Sequence, residues 1–264
     1  QVETSKQLPV SPNLEMIKND LLLGLNSAFP RNKIDMKLFG SRLIGVGNDN
    51  SDLDVFVNVG KITIKLILSR NMLMTIYFQT AEVFYGIFNE SWASVVTLIN
   101  AKVPVICLIH NATKIKVDIN FTDKLSSTHD IVINYLFDLQ PIARFMVHYL
   151  RHRTRSLQLQ HYFRSHYHTL MIFYFLQIKN LLPPVVKLQR NINQDFGPII
   201  GEYKYPSLRT LGLERIEVNS NNTQNMLKEY FQFYSNFNYD KYAISSYYGT
   251  WITRAKLAHL MPKA

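Results

Sequence analysis

FGSRLIGVGNDNSDLDVFVN, residues 39–58, decides how the rest of the chain is read. Its end, extended to LDVFVNV at 53–59, is rich in the β-branched and aromatic residues that suit a strand. Residues 34–39 alternate toward another short strand that runs into Gly40 and Ser41. Asp52 and Asp54 are two apart, which on a strand puts both carboxylates on one face. Such a pair repels unless a cation sits between, and hard divalent ions prefer oxygen ligands. Gly40 lets backbone approach a phosphate closely, and Ser41 offers a hydroxyl and an N–H. A helix starting there would add its anion-favouring N-terminus.

A third acid follows in KIKVDINF at 114–121, where Asp118 stands between Val117 and Ile119 and faces away from them. If that strand lies beside the Asp54 strand, three carboxylates converge. Three can hold two Mg²⁺ or Mn²⁺ ions, which would activate a hydroxyl and stabilise a leaving pyrophosphate. Singly, a D-x-D pair is a solvated edge, a Gly-Ser pair is a turn, and a strand Asp is a surface charge. Their order and setting make the joint pattern specific.

Residues 12–28 form an amphipathic helix, with Leu14, Ile17, Leu21, Leu22 and Leu25 on one face. The segment 61–68 suits strand or helix, and a helix carrying Phe78, Phe84 and Phe88 on one side follows. Strands are expected near 93–99, 103–110 and 114–121. After Ser126 the periodicity turns helical, over 129–153, 162–180 and 224–238, with Pro183-Pro184 as a break and 187–220 irregular.

Composition agrees with a phosphate-rich partner. Lys plus Arg is 29 against 19 acids, a net charge of +10. With 47% hydrophobic residues the chain is globular. No window suits a transmembrane helix, and residues 1–20 carry no signal-peptide pattern. Gln1 at the start suggests a piece of a longer protein. The single cysteine, Cys107, excludes an internal disulfide and reads as an inert core thiol in a reducing, intracellular, preferentially cytoplasmic setting.

On these residues the chain resembles the terminal nucleotidyltransferases, the poly(U) and poly(A) polymerase branch of the DNA polymerase β-like superfamily. Residues 39–58 resemble the signature of the phosphate loop and two metal aspartates, and INAKVPVICLIHNATKIKVDINF at 99–121 the stretch of the third. SHYHTLMIFYFLQIKNLLPPV at 165–185 resembles the helix whose tyrosine stacks on the incoming base, and EYFQFYSNFNYDKYAISSYYGTWI at 229–252 the late aromatic helix. The resemblance implies an α+β fold: a nucleotidyltransferase mixed-sheet domain at 29–127 and a mainly helical central domain from 1–28 with 128–264, the active site in the cleft between. It implies Asp52, Asp54 and Asp118 as metal-binding catalytic residues, Asp118 as general base for the RNA 3′ hydroxyl, and Mg²⁺ or Mn²⁺ as cofactor. Gly40 and Ser41 would hold the triphosphate, and Tyr167 would stack on the base. The partners implied are an NTP and an RNA 3′ end, with no membrane.

The chain departs from the family at several places. Where two lysines one helical turn apart face the triphosphate, ARFMVHYLRHR at 143–153 offers His148, Arg151 and His152. The family's ribose-contacting asparagine is replaced by Thr128-His129-Asp130, and the serine before the stacking tyrosine is His166. No nucleotide-recognition segment is visible before Ala264. The alternative function is therefore a catalytically degenerate member, a scaffold for RNA or a protein partner and a candidate homodimer. The strip RHRTRSLQLQHYFR at 151–164 interleaves cations and aromatics as an RNA or phosphate surface would.

Overall fold

The computed structural model describes residues 12–48, 51–60, 70–101, 103–122, 124–189 and 203–260. The segment expected at 61–68 lies outside these. The chain divides into two compact units, Gln1–Ile131 and Val132–Ala264.

The first unit holds helix α1 (Pro12–Ala28), strands β1 (Asp35–Phe39) and β2 (Leu53–Asn58), helix α2 (Arg70–Gly86), and strands β3 (Trp92–Leu98), β4 (Val105–His110) and β5 (Lys116–Asn120). The strands form one mixed sheet in the order β1-β2-β5-β4-β3. Only β2 and β5 pair in parallel; the other neighbours are antiparallel. The period-2 pleat sends Leu53, Val55 and Val57 of β2 and Val117 and Ile119 of β5 into the core. They meet Ile17, Leu21 and Leu25 of α1 and Ile76, Tyr77 and Phe84 of α2. The alternate residues, Asp54 and Asp118 among them, take the other face.

Phe78 does not share the buried side of α2: Phe84 is fully buried while Phe78 is half exposed. Six helical residues turn the second side chain about 120° from the first. The buried stripe runs instead through Tyr77, Thr80 and Phe84, at helical i, i+3, i+7 spacing.

The helix α1 belongs with the sheet, not with the helical part to which 1–28 was assigned. Its apolar face is buried in the sheet core, and Asp20 accepts from the buried His110 of β4 at 3.0 Å. The other His110 nitrogen meets Thr113 Oγ1 at 2.9 Å, and Trp92 packs on the ring at 4.9 Å.

Helix α3 (Lys124–Leu139) runs across the boundary between the units. The second unit continues with α4 (Pro141–Ser156), α5 (Ser165–Ile178), a 3₁₀ turn (Val185–Leu188), the short α6 (Leu208–Leu211), α7 (Ser220–Ser235), a hairpin of β6 (Tyr242–Ser245) and β7 (Thr250–Thr253), and α8 (Arg254–Leu260). The helical run expected at 129–153 is two helices, because Pro141 cannot continue α3 and instead opens α4. At this joint the buried Gln140 donates to the carbonyls of Leu181 and Glu214 and accepts from Ile216 N. Asn219 caps α7, which therefore begins earlier than its aromatic pattern suggests. The hairpin was not expected, and it makes this unit mainly rather than wholly helical.

Replacing Asp20 by Ala leaves a fully buried imidazole nitrogen without a partner. Urea unfolding should show a loss of about 1–3 kcal/mol. Glu15→Ala, which removes only the exposed pair with Lys18, should change stability by less than about 0.5 kcal/mol.

Candidate active site

The parallel register of β2 and β5 sets Asp54 directly opposite Asp118. Asp52 lies just ahead of β2, and Lys116 reaches both it and Asp118. Burial, followed by the charges of Asp118, Asp52 and Asp130, pushes the Asp54 carboxyl up to about 7. Asp118 Oδ1 is buried without a hydrogen bond. A set of crowded carboxylates with an unsatisfied buried oxygen fits a hard divalent cation. Yet among the described residues no three His, Cys, Asp or Glu side chains are already gathered in a metal-holding arrangement. Lys116 stands among them instead, its Nζ 3.0 Å from Asp52 Oδ2 and 3.3 Å from each oxygen of Asp118.

Gly40 follows β1, next to Asp54 in the ladder through Phe39. Its φ is +89°, and a Cβ there would fall 2.1 Å from Asp54 Oδ2. Two constraints therefore demand glycine: the backbone conformation and the space taken by the carboxylate. Residues 41–45 form turns rather than the helix that would have offered an N-terminus to an anion. The loop is nonetheless braced. Val46 N and Gly47 N donate to Ser41 O, Arg42 Nε donates to Ser51 O at 2.6 Å, and Ser51 Oγ bonds with the side chain of Asn48.

The Gly40 N–H donates to Asp130 Oδ2 at 2.5 Å. A carboxylate of α3 thus occupies the Gly40 N–H. Burial raises the Asp130 pKa, while the Gly40 N–H and His129 act against that. Cys107 is half-buried on β4 opposite Asp118, so it borders the acidic cluster and is not a core residue. Burial and a hydrogen bond with Asp118 push its thiol up to about 11, which keeps it protonated and unreactive.

In the second unit, His148, Arg151 and His152 lie on α4, and His166 and Tyr167 on α5. His148, His152, His166 and Tyr167 are exposed. Arg151 is not: it is buried, and its Nε and Nη1 find no hydrogen-bond partner among the described residues. Burial and then the neighbouring Arg155 lower it to about 10. Burial and Arg151 also lower His168, whose Nε2 meets Thr154 Oγ1 at 3.0 Å. The rest of the 151–164 strip, including Arg153, Arg155, Tyr162 and Arg164, is largely exposed.

Residues 13–134 match the family model described as poly(A) RNA polymerase, mitochondrial-like, central palm domain. The human terminal uridylyltransferase 7 is 25% identical over 182 residues, which are 67% of this chain and 12% of that protein. These matches are to terminal nucleotidyltransferases, the family the chain resembles. Solved structures share its fold. The complex of mtPAP with ATPgammaS superposes with a TM-score of 0.72 at 20% identity, covering 88% of this chain and 52% of that one. Terminal uridylyl transferase 4 from Trypanosoma brucei, with bound UTP and UMP, gives 0.70 at 16% identity, covering 93% and 76%. The GLD-2/RNP-8 complex gives 0.65 at 21%, covering 92% and 84%. The chain thus spans about half the length of mtPAP and a small part of the human relative.

Two residues of the acidic centre escaped the sequence reading. Lys116 carries a visible signal, its place two residues before Asp118, which puts both on one face of β5. Asp130 was noted only as standing where the family has asparagine; its bond to Gly40 spans ninety positions and leaves no local pattern.

The Asp54 carboxyl contributes to the pH dependence of stability. Its folded value, about 7, lies above its ordinary 3.8, so between these the folded state holds the extra proton. Stability then falls as pH rises through that window. Urea midpoints in chelator should decline from pH about 4 to about 7, and Asp54→Asn should flatten the decline. Arg151→Met removes an uncompensated buried cation and should raise unfolding stability by about 1 kcal/mol or more. If Arg151 serves a triphosphate, the same variant weakens nucleotide binding in calorimetry.

Proposed function

We propose that this chain carries the catalytic part of a metal-dependent, template-independent RNA 3′-terminal nucleotidyltransferase that transfers a uridylyl or adenylyl group from an NTP. The observation that carries the reading is the register match of Asp54 with Asp118, with Asp52 joined to Asp118 through Lys116. That arrangement gathers negative charge against burial, which a bound divalent cation would relieve. The match to the family model over residues 13–134 and the net charge of +10 support an RNA and NTP partnership.

Asp52, Asp54 and Asp118 would hold Mg²⁺ or Mn²⁺, which when bound supplies Lewis-acid activation of the attacking hydroxyl and charge stabilisation at the leaving pyrophosphate. Asp118, with an oxygen free of hydrogen bonds, accepts the proton of the RNA 3′ hydroxyl. The bond formed joins O3′ to the α-phosphorus; the bond broken releases pyrophosphate. Gly40 and Ser41 orient the triphosphate once Asp130 yields the Gly40 N–H. Tyr167, half exposed on α5, stacks on the base, a contact that any base satisfies. His148, Arg151, His152 and His166 supply the remaining polar contacts to the nucleotide.

Labelled RNA incubated with each NTP and Mg²⁺ or Mn²⁺ tests the reading. Extension by one or more nucleotides is expected. Asp52→Ala and Asp54→Ala should lower it by about 100-fold or more, since even outer-sphere partners of a metal are worth about 10–100-fold. No extension with any NTP and either metal, beside an active family member, overturns the proposal.

A further inference from the structure

Lys116 precedes Asp118 by two residues on β5, and the pleat puts its side chain on the same face as the acidic centre. Its ammonium forms an ion pair with Asp52 at 3.0 Å and with Asp118 at 3.3 Å. Among the described residues no other ion pair reaches Asp52, Asp54 or Asp118. The side chain is 42% exposed, so its four-carbon stem has open solvent into which it can turn. It bridges the two strands at the point where a cation is electrostatically required.

We infer that Lys116 is an internal counter-ion that holds the place of one divalent cation, and that a metal must displace its ammonium to engage Asp52 and Asp118 together. The inference rests on the reading of Asp52, Asp54 and Asp118 as a metal-binding triad. In the metal-free protein the ammonium relieves the repulsion of carboxylates that the β2–β5 register forces together. Toward an incoming metal it acts in the opposite sense, as a like charge a few ångströms from the binding point. Its departure leaves the ammonium itself satisfied, because an exposed ammonium is solvated by water as well as by a carboxylate. Asp54 makes no ion pair with Lys116, so one part of the triad stays open to a first cation while the Asp52–Asp118 pair is closed. Lysine suits this role better than arginine would, being a compact charge on a flexible stem without a planar fork to lock onto two oxygens.

Titration of the metal-free protein with Mn²⁺, followed by loss of the free-ion electron paramagnetic resonance signal, tests this without recourse to activity. Lys116→Gln should bind Mn²⁺ about tenfold more tightly than the unaltered protein, or about 1.4 kcal/mol. Lys116→Arg keeps the charge and should bind no more tightly than the unaltered chain. In chelator, Lys116→Gln should melt at a lower temperature than the unaltered protein, and Mn²⁺ should raise its midpoint by the larger amount. Equal or weaker Mn²⁺ affinity in Lys116→Gln, with binding that Asp54→Asn abolishes, overturns the counter-ion role and leaves the triad standing. Absence of Mn²⁺ binding in every variant overturns the triad reading and this inference with it.

Discussion

Like charges set directly opposite one another on neighbouring strands are destabilising, and here the backbone ladder between β2 and β5 imposes that arrangement on Asp54 and Asp118. The imposition comes from the other face of the same strands. Leu53, Val55, Val57, Val117 and Ile119 are all fully buried, and a slip of one residue would exchange core and site faces on the slipped strand. The hydrophobic core therefore fixes the acidic centre. The neighbourhood answers the accumulated charge in three ways: Asp54 takes a raised pKa, Lys116 bridges Asp52 and Asp118, and Cys107 stays a neutral thiol beside Asp118.

The second unit carries the opposite electrostatic imbalance. Arg151 is buried on α4 with Arg155 and His168 as its charged or titratable neighbours, and burial lowers both Arg151 and His168. An uncompensated cation in one unit and a crowded anion cluster in the other are both costly in isolation. In each unit, taken by itself, the proposed chemistry and the stability of the unliganded chain oppose each other.

Much of this was legible before any coordinates. The strands around residues 34–39, 53–59 and 114–121 stand out because alternation and β-branched residues agree there. That Asp54 and Asp118 face away from the core follows from counting in twos. Helix α1 was equally clear, but its side of attachment was not. Nothing local in Leu21 or Leu25 says whether a sheet or a helix will cover them, and the Asp20–His110 contact joins positions ninety residues apart. Phe78 misled because aromatic content was read without the helical angle. Pro141 was passed over inside a long apolar period, and the β6–β7 hairpin was hidden by aromatic density that suits helix and strand alike. The partners of the acidic centre, Lys116 and Asp130, are tertiary in origin; the first could have been found from its spacing, the second could not.

Gly40 ties two positions of the sequence into one hereditary unit. A side chain at 40 has room only if the Asp54 carboxylate withdraws, since the two would meet at 2.1 Å. A lineage that abandons the acid removes that steric bar, though the left-handed backbone still disfavours most other residues. A lineage that keeps the acid in place keeps the glycine as well. In this chain both members are present, and the register holds each against the other.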